Sequence, residues 1–261
     1  MIEDRGGQRA RARVFGEVAG EYDRLRPGYP AELAGDVLRY AGAATRSALE
    51  VGAGTGKATV AFAERGVAVT AVEPDPAMAR LLTDRAGGLP VTVVVSTFED
   101  FVPPAPYDLL YSAQAWHWTD PATRWQRAVD ALAPGGTLAL FWNINRLADP
   151  AVVEAVLAAH RAHAPDVPVD TEPVDPDSLA AHWPRTDLDT VAELGDLTER
   201  LYRWDRTLSA ADYVAHLATE SAYRMLPDRV RAELFRALRE ALPGPVRMTV
   251  DTALYLARRT G

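Results

Sequence analysis

Glu50, Gly52, Gly54 and Gly56 stand in the run Leu49-Glu50-Val51-Gly52-Ala53-Gly54-Thr55-Gly56-Lys57, spaced acid-x-Gly-x-Gly-x-Gly. Three alternate glycines after the apolar stretch Ala48–Val51 describe a strand turning sharply into a helix, with bare backbone open to a nucleotide-type ligand. A dinucleotide fingerprint needs its third glycine three residues beyond the second, where this chain has Lys57. A phosphate-cradling loop needs glycine where Val51 stands and a hydroxyl where Ala58 stands. The carboxylate of Glu50 suits a ligand with a cationic end better than a pyrophosphate.

Glu73 closes the apolar run Val67–Glu73, about twenty residues beyond the turn, where an acid can accept both hydroxyls of a ribose. Asp75-Pro76 already supplies the cap and first residue of the following helix. His117 lies between Trp116 and Trp118, just beyond another apolar run, where it could act as a general base or simply order the loop. The tryptophans could pack or form a substrate platform. Arg26, Arg146 and Arg206 are the candidates by position for clamping a carboxylate.

These residues need a frame. Helical patterns cover Ala31–Tyr40, the stretch through Val60, Phe62 and Ala63, and the stripe Trp125, Ala128, Val129, Leu132 before Pro134-Gly135-Gly136. Strand patterns cover Ser47–Val51, Val67–Glu73, Val91–Ser96, Tyr107–Ser112 and Thr137–Trp142. Five strands alternating with helices predict a doubly wound parallel sheet, on which ligands sit outside the carboxyl ends of the strands. Glu50, Glu73, Thr97 and Gln114–Trp118 all fall at such ends.

After Asn145 the pattern changes. A helix is predicted from Pro150 to about His163, then a Pro/Asp-rich passage, Pro165 to Pro184, that reads as a lid or binding loop. Segments near 199–208 and 246–258 read as two last strands, an antiparallel finish to the sheet. Between them lie a helix opened by a Ser209…Asp212 capping box and another from Pro227 to Leu242. The expected organisation is an N-terminal helical lid at 1–30, a Rossmann-like core at 31–145, a substrate-side insertion at 146–225 that includes the late strand, and a C-terminal completion at 226–261.

The chain has 261 residues, enough for one large α/β domain. It has no cysteine, which excludes disulfides, thiolate metal sites and a cysteine nucleophile. A net charge of −8, from 36 acidic and 28 basic side chains, argues against nucleic acid as substrate. No apolar run approaches the ~20 residues that span a bilayer, and the arginine-rich start lacks the apolar segment of a secretory signal. A cytoplasmic protein, monomer or homodimer, with no membrane or metal partner is the expectation.

The motif headed by Glu50 resembles the first motif of the class I S-adenosylmethionine (SAM)-dependent methyltransferases. The runs Tyr22…Arg26-Pro27-Gly28-Tyr29-Pro30 and Ala115-Trp116-His117-Trp118-Thr119-Asp120 resemble its trans-aconitate methyltransferase-like branch. The resemblance implies a seven-stranded class I fold with a helical lid and an insertion after the fifth strand. It also implies SAM as cofactor, S-adenosylhomocysteine as product, and methyl transfer to oxygen or nitrogen of a small-molecule acceptor, with a carboxylate among the options, in specialised metabolism. Cofactor contacts then fall on Tyr22, Arg26, Glu50, Gly52, Ala53, Gly54, Gly56, Glu73, Pro74 and Gln114, with Thr97 and Phe98 on the adenine. His117 is the catalytic candidate, and Tyr29, Trp116, Trp118 and Arg146 are the acceptor candidates. Two alternatives stay open: a SAM-binding regulatory protein without catalysis, and a nicotinamide oxidoreductase, which a chain with one lysine and no Gly-x-Gly-x-x-Gly fits poorly.

Overall fold

The structure is a computed structural model and describes residues 19–261. Strands β1 (Ser47–Val51), β2 (Ala68–Glu73), β3 (Val91–Val95), β4 (Tyr107–Ala113), β5 (Leu132–Leu147), β6 (Leu194–Leu208) and β7 (Val246–Arg259) form one sheet in the order β3-β2-β1-β4-β5-β7-β6. The first five are parallel, whereas β7 runs antiparallel to β5 and to β6. The order reverses between β1 and β4, so the carboxyl ends of these neighbours frame a crevice.

The helices are α1 (Ala19–Leu25), α2 (Ala31–Ala41), α3 (Lys57–Ala63), α4 (Pro76–Arg85), α5 (Arg124–Ala131), α6 (Pro150–His163), α7 (Arg185–Leu188), α8 (Ala210–Ala218), α9 (Ser221–Arg224) and α10 (Asp228–Ala241). Strand periodicity divides the core between two faces. Leu109, Tyr111 and Phe141 join Leu33, Val37, Phe62 and Leu82 on one face, while Leu110, Leu138 and Leu140 join Val129 and Trp116 on the other. A third cluster, with Val156, Val214, Leu217, Leu234 and Leu238, packs α6, α8 and α10 around Leu147, Val246 and Met248 at the ends of β5 and β7.

Caps fall where the sequence signals them. The Asp75 carboxylate accepts from the Ala77 and Met78 amides, Asp149 from Ala151, and Ser209 Oγ from Asp212. The long strands are the main departure. β5 runs on to Leu147 rather than stopping at Trp142, because β7 pairs with it from Asn143↔Thr252 through Leu147↔Met248. Pro134-Gly135-Gly136 follows the end of α5 at Ala131 but already lies inside β5, which begins at Leu132. β6 starts at Leu194 rather than 199, paired with Arg259.

The Pro/Asp-rich passage is not a lid along its whole length. Leu179 and the partly buried Val174 and Trp183 pack into the sheet-face cluster, joined by Leu188 of α7 just beyond the passage, and the Val174 amide donates to the buried Asp251 carboxylate at 3.0 Å. Its apolar residues, sparse but well placed, cover sheet that would otherwise face water. The leading helical lid lies mostly outside the described residues, which include only its α1 end. Among the described residues no helix is long and apolar enough to cross a membrane.

Candidate functional site

A cavity of about 690 Å³ opens at the carboxyl ends of β1, β2, β4 and β5. One half is walled by the glycine turn, Glu73-Pro74, Ser96–Asp100, Gln114-Ala115 and His117–Thr119. The other is walled by Arg26, Leu147, Pro168–Asp170, Tyr213, His216-Leu217, Glu220–Tyr223 and Met248.

The turn itself is shaped by positive φ at Gly52 (70°), Gly54 (58°) and Gly56 (85°). A Cβ on Gly52 would sit 2.3 Å from the Ala115 Cβ, and one on Gly56 2.4 Å from a Leu82 methyl, so two of the three are also packing requirements. A Cβ on Gly54 would meet nothing within 4 Å, consistent with a face left open for a ligand. The Glu73 carboxylate fastens this turn: Oε2 accepts the Gly54 amide at 2.7 Å and Oε1 the Asp75 amide at 2.9 Å. Burial raises its pKa to about 7 against those two bonds.

Glu50 is 1% exposed, and its Oε2 accepts from Thr59 Oγ1 and from Tyr111 OH at 3.0 Å. Its Oε1 is buried with no partner, although Glu50 lines the cavity. Desolvation pushes its pKa up to about 8. An unpartnered carboxylate oxygen beneath a glycine turn is what a ligand bearing an ammonium or sulfonium group would complete.

Of the other expected cofactor residues, Arg26, Ala53, Pro74, Thr97, Phe98 and Gln114 line the cavity. Thr97 Oγ1 donates to Asp100 and accepts its amide, capping the turn there rather than pointing freely at a ligand. Gln114 holds φ of 63° and donates Nε2 to the Asn143 carbonyl. The Tyr22 side chain lies outside the described residues. The strap formed by α1 and its turn into α2 is pinned to both halves. Asp23 accepts from Thr55 Oγ1 and Arg85 at 2.6 Å each, and Arg26 donates to Thr219 Oγ1 at 3.0 Å and to its carbonyl at 3.1 Å.

Three acceptor-side expectations are corrected. Trp116 is fully buried, its ring 5.6 Å from Phe98 and 5.3 Å from Trp125, so it is core and does not line the cavity, unlike Trp118 and Tyr29. Arg146 faces the buried Asp251 at 3.5 Å and is not in the cavity wall. His117 lines the cavity, but its Nδ1 accepts the Trp142 indole N–H at 3.3 Å, which leaves the neutral ring's own proton on Nε2. With both nitrogens so used, the ring presents a donor rather than a base. The ring is exposed at the cavity wall, and the protein packed behind it, with the nearby Arg124 charge, pushes its pKa down to about 4.

Sequence reasoning missed the polar residues on the far wall. Asn143 Nδ2 donates to the Gly28 carbonyl at 2.9 Å and its Oδ1 accepts from Thr252, tying strap to sheet. His216 and Glu220, four residues apart, line the acceptor half with Tyr213 and Tyr223. Their i, i+3, i+4 spacing was legible, but as an ordinary buried helix stripe. Among the described residues no group of three or more His, Asp or Glu could hold a metal.

Residues 49–140 match the family model described as a methyltransferase domain. An uncharacterized methyltransferase of Mycobacterium tuberculosis is 42% identical over 131 residues, 49% of this chain and 51% of that one, so the match spans about half the length of this curated relative. The structure called "Putative Type II Methyltransferase from Anaeromyxobacter dehalogenans" is similar with a TM-score of 0.61 and 27% identity, covering 89% of this chain and 97% of that one. The YcgJ protein of Bacillus subtilis shares the fold, with a TM-score of 0.53 and 16% identity over 87% of this chain and 98% of that one. The glycine turn, the methyltransferase domain matched over residues 49–140 and the seven-stranded mixed sheet agree with one another: the fold is that of the class I methyltransferases, and residues 49–140 carry the methyltransferase domain.

Proposed function

We propose that the protein binds S-adenosylmethionine in the glycine-turn half of the cavity and transfers its methyl group to an O–H or N–H group of a small acceptor held in the other half. The observation that carries this reading is the buried, unpartnered Glu50 Oε1 beside a turn whose Gly54 amide is held by Glu73. In the bound state Glu50 faces the cationic amino-acid end, Glu73 the ribose hydroxyls, and the Thr97-Phe98 backbone the adenine. The bound cofactor supplies a methyl carbon on a sulfonium, open to in-line attack.

The chain's task is to orient the nucleophile at near-attack distance and exclude water. The acceptor half suits an apolar body: Leu147, Val169, Tyr213, Leu217, Tyr223 and Met248 line it. Its cation, Arg26, is already engaged by Thr219 and by Glu220 at 3.4 Å, and Asp170 adds a further carboxyl group. Arg206 donates to the Leu25 carbonyl at 2.8 Å, and Arg146 faces Asp251. A carboxylate acceptor would therefore compete with anions already in place, and an uncharged or weakly cationic one would not. The reading is tested by calorimetry with S-adenosylhomocysteine and by transfer of labelled methyl groups to a panel of small alcohols, phenols and amines. Binding of NADH without binding of S-adenosylhomocysteine would sink it.

A further inference from the structure

The far wall of the cavity holds a histidine that no role above uses. His216, on α8, has a side chain 1% exposed, and neither of its ring nitrogens has a hydrogen-bond partner of normal geometry. Its Nε2 lies 3.4 Å from Glu220 Oε1, one helical turn on, and the same oxygen lies 3.4 Å from Arg26 Nη1. An imidazole nitrogen left bare in a closed interior forfeits a hydrogen bond, so a side chain kept in that state at a cavity wall has its partner still to come.

Taking the methyl-transfer reading above as given, we propose that His216, oriented by Glu220, accepts the proton of the acceptor nucleophile. The Glu220 carboxylate draws the ring's own proton to Nε2, which leaves the lone pair on Nδ1. The acceptor O–H proton passes to Nδ1 as the oxygen lone pair forms the bond to the methyl carbon, and the electron pair of the breaking carbon–sulfur bond remains on sulfur. The imidazolium that results lies beside Glu220, and its proton leaves with product to solvent. An amine nucleophile gives up its proton by the same route.

The surroundings fit a base that is neutral before the reaction. Desolvation, together with the charges of Arg26 and Arg206, holds His216 below its ordinary value, while Glu220 opposes them. Glu220 itself is held low by His216 and Arg26 in spite of its burial. Tyr213 and Tyr223 face the same space and are both raised by burial and by Glu220, so neither ionises in the working range. Asp170, also raised, is the remaining titratable group near Glu220. His160 is occupied elsewhere, its Nε2 2.9 Å from Tyr223 OH and its Nδ1 2.8 Å from the Val156 carbonyl.

The test begins with ¹⁵N-histidine-labelled protein saturated with S-adenosylhomocysteine, so that a failure to bind this ligand counts against the cofactor reading and not against His216. The expected His216 signal is an Nε2–H tautomer with bare Nδ1 that titrates lower in Glu220→Gln. An Nδ1–H tautomer, or a signal indifferent to Glu220→Gln, overturns the assignment. With the panel of alcohols, phenols and amines, His216→Gln should lower kcat at least ~100-fold with S-adenosylhomocysteine affinity unchanged. Glu220→Gln should lower kcat and move the acidic limb of the pH–rate profile to lower pH, a shift that a merely structural residue would not cause. Parent rates in His216→Gln, or label appearing only in carboxylic acids added to the panel for comparison, or in none of its members, overturn the proposal.

Discussion

The Gly54 amide and the Glu73 carboxylate, nineteen residues apart, meet at 2.7 Å and join the first strand's turn to the tip of the second. Glu73 thus shapes the backbone against which the ligand lies as well as offering oxygen to it. Glu73→Ala should weaken S-adenosylhomocysteine binding by one to two charge-assisted hydrogen bonds, ~1.5–3 kcal/mol each. Calorimetry checks this. An affinity within two-fold of the parent would show that the turn holds its form unaided.

The two buried carboxyls predict a pH response. Glu50 and Glu73 are raised to about 8 and about 7 in the folded chain, from an unfolded value of 4.5. Folding therefore takes up protons, and their contribution to stability is fully present below 4.5 and lost as pH rises to 8. His117, held near 4, acts only below its ordinary 6.5, so the window from 6.5 to 8 isolates the carboxyls from it. The melting temperature of the ligand-free protein should fall across that window, and Glu50→Gln should flatten the fall. A cationic ligand reverses the preference, so cofactor binding at pH 7 should release protons, read as a buffer-dependent enthalpy.

Asp23 links α1 to the cofactor turn through Thr55 and to α4 through Arg85. Such partly exposed contacts are worth ~0.2–1 kcal/mol each, enough to set how fast a strap lifts without deciding the fold. Asp23→Ala should speed S-adenosylhomocysteine release several-fold in stopped-flow displacement while leaving the melting temperature nearly unchanged. An unchanged release rate would mean that ligand exchange bypasses the strap.

The two neighbouring tryptophans should respond oppositely. Trp116→Ala empties a fully buried site and should cost ~3–5 kcal/mol in denaturant unfolding. Trp118, partly exposed at the cavity wall, should cost far less on the same change and affect acceptor turnover instead. Equal losses of stability would refute the division between core and wall.

His117 is expected to matter modestly. With Nδ1 taken by Trp142 and a pKa near 4, His117→Ala should leave the pH–rate profile between 6 and 8 unchanged in shape. Loss of the acidic limb in that variant would restore His117 as the base.

Local spacing was enough to determine the glycine turn, the acids at the tips of β1 and β2, the five parallel strands with helices between them except from β3 to β4, where an irregular link stands instead, and the caps at Asp75, Asp149 and Ser209. Each is a relation among residues close in sequence, where backbone geometry and side-chain period leave few options. Tertiary structure decided what distant residues do to one another. Arg26 looks like a free clamp until Glu220, 194 positions away, is folded against it. Arg146 has the same look until β7 brings Asp251 to its side. Trp116 and Trp118 are alike in sequence, and only the packing of Phe98 and Trp125 buries the first. His216 reads as one more residue on an apolar helix face because its meaning comes from the cavity beside it, and a cavity is a property of surfaces assembled from segments far apart in the chain.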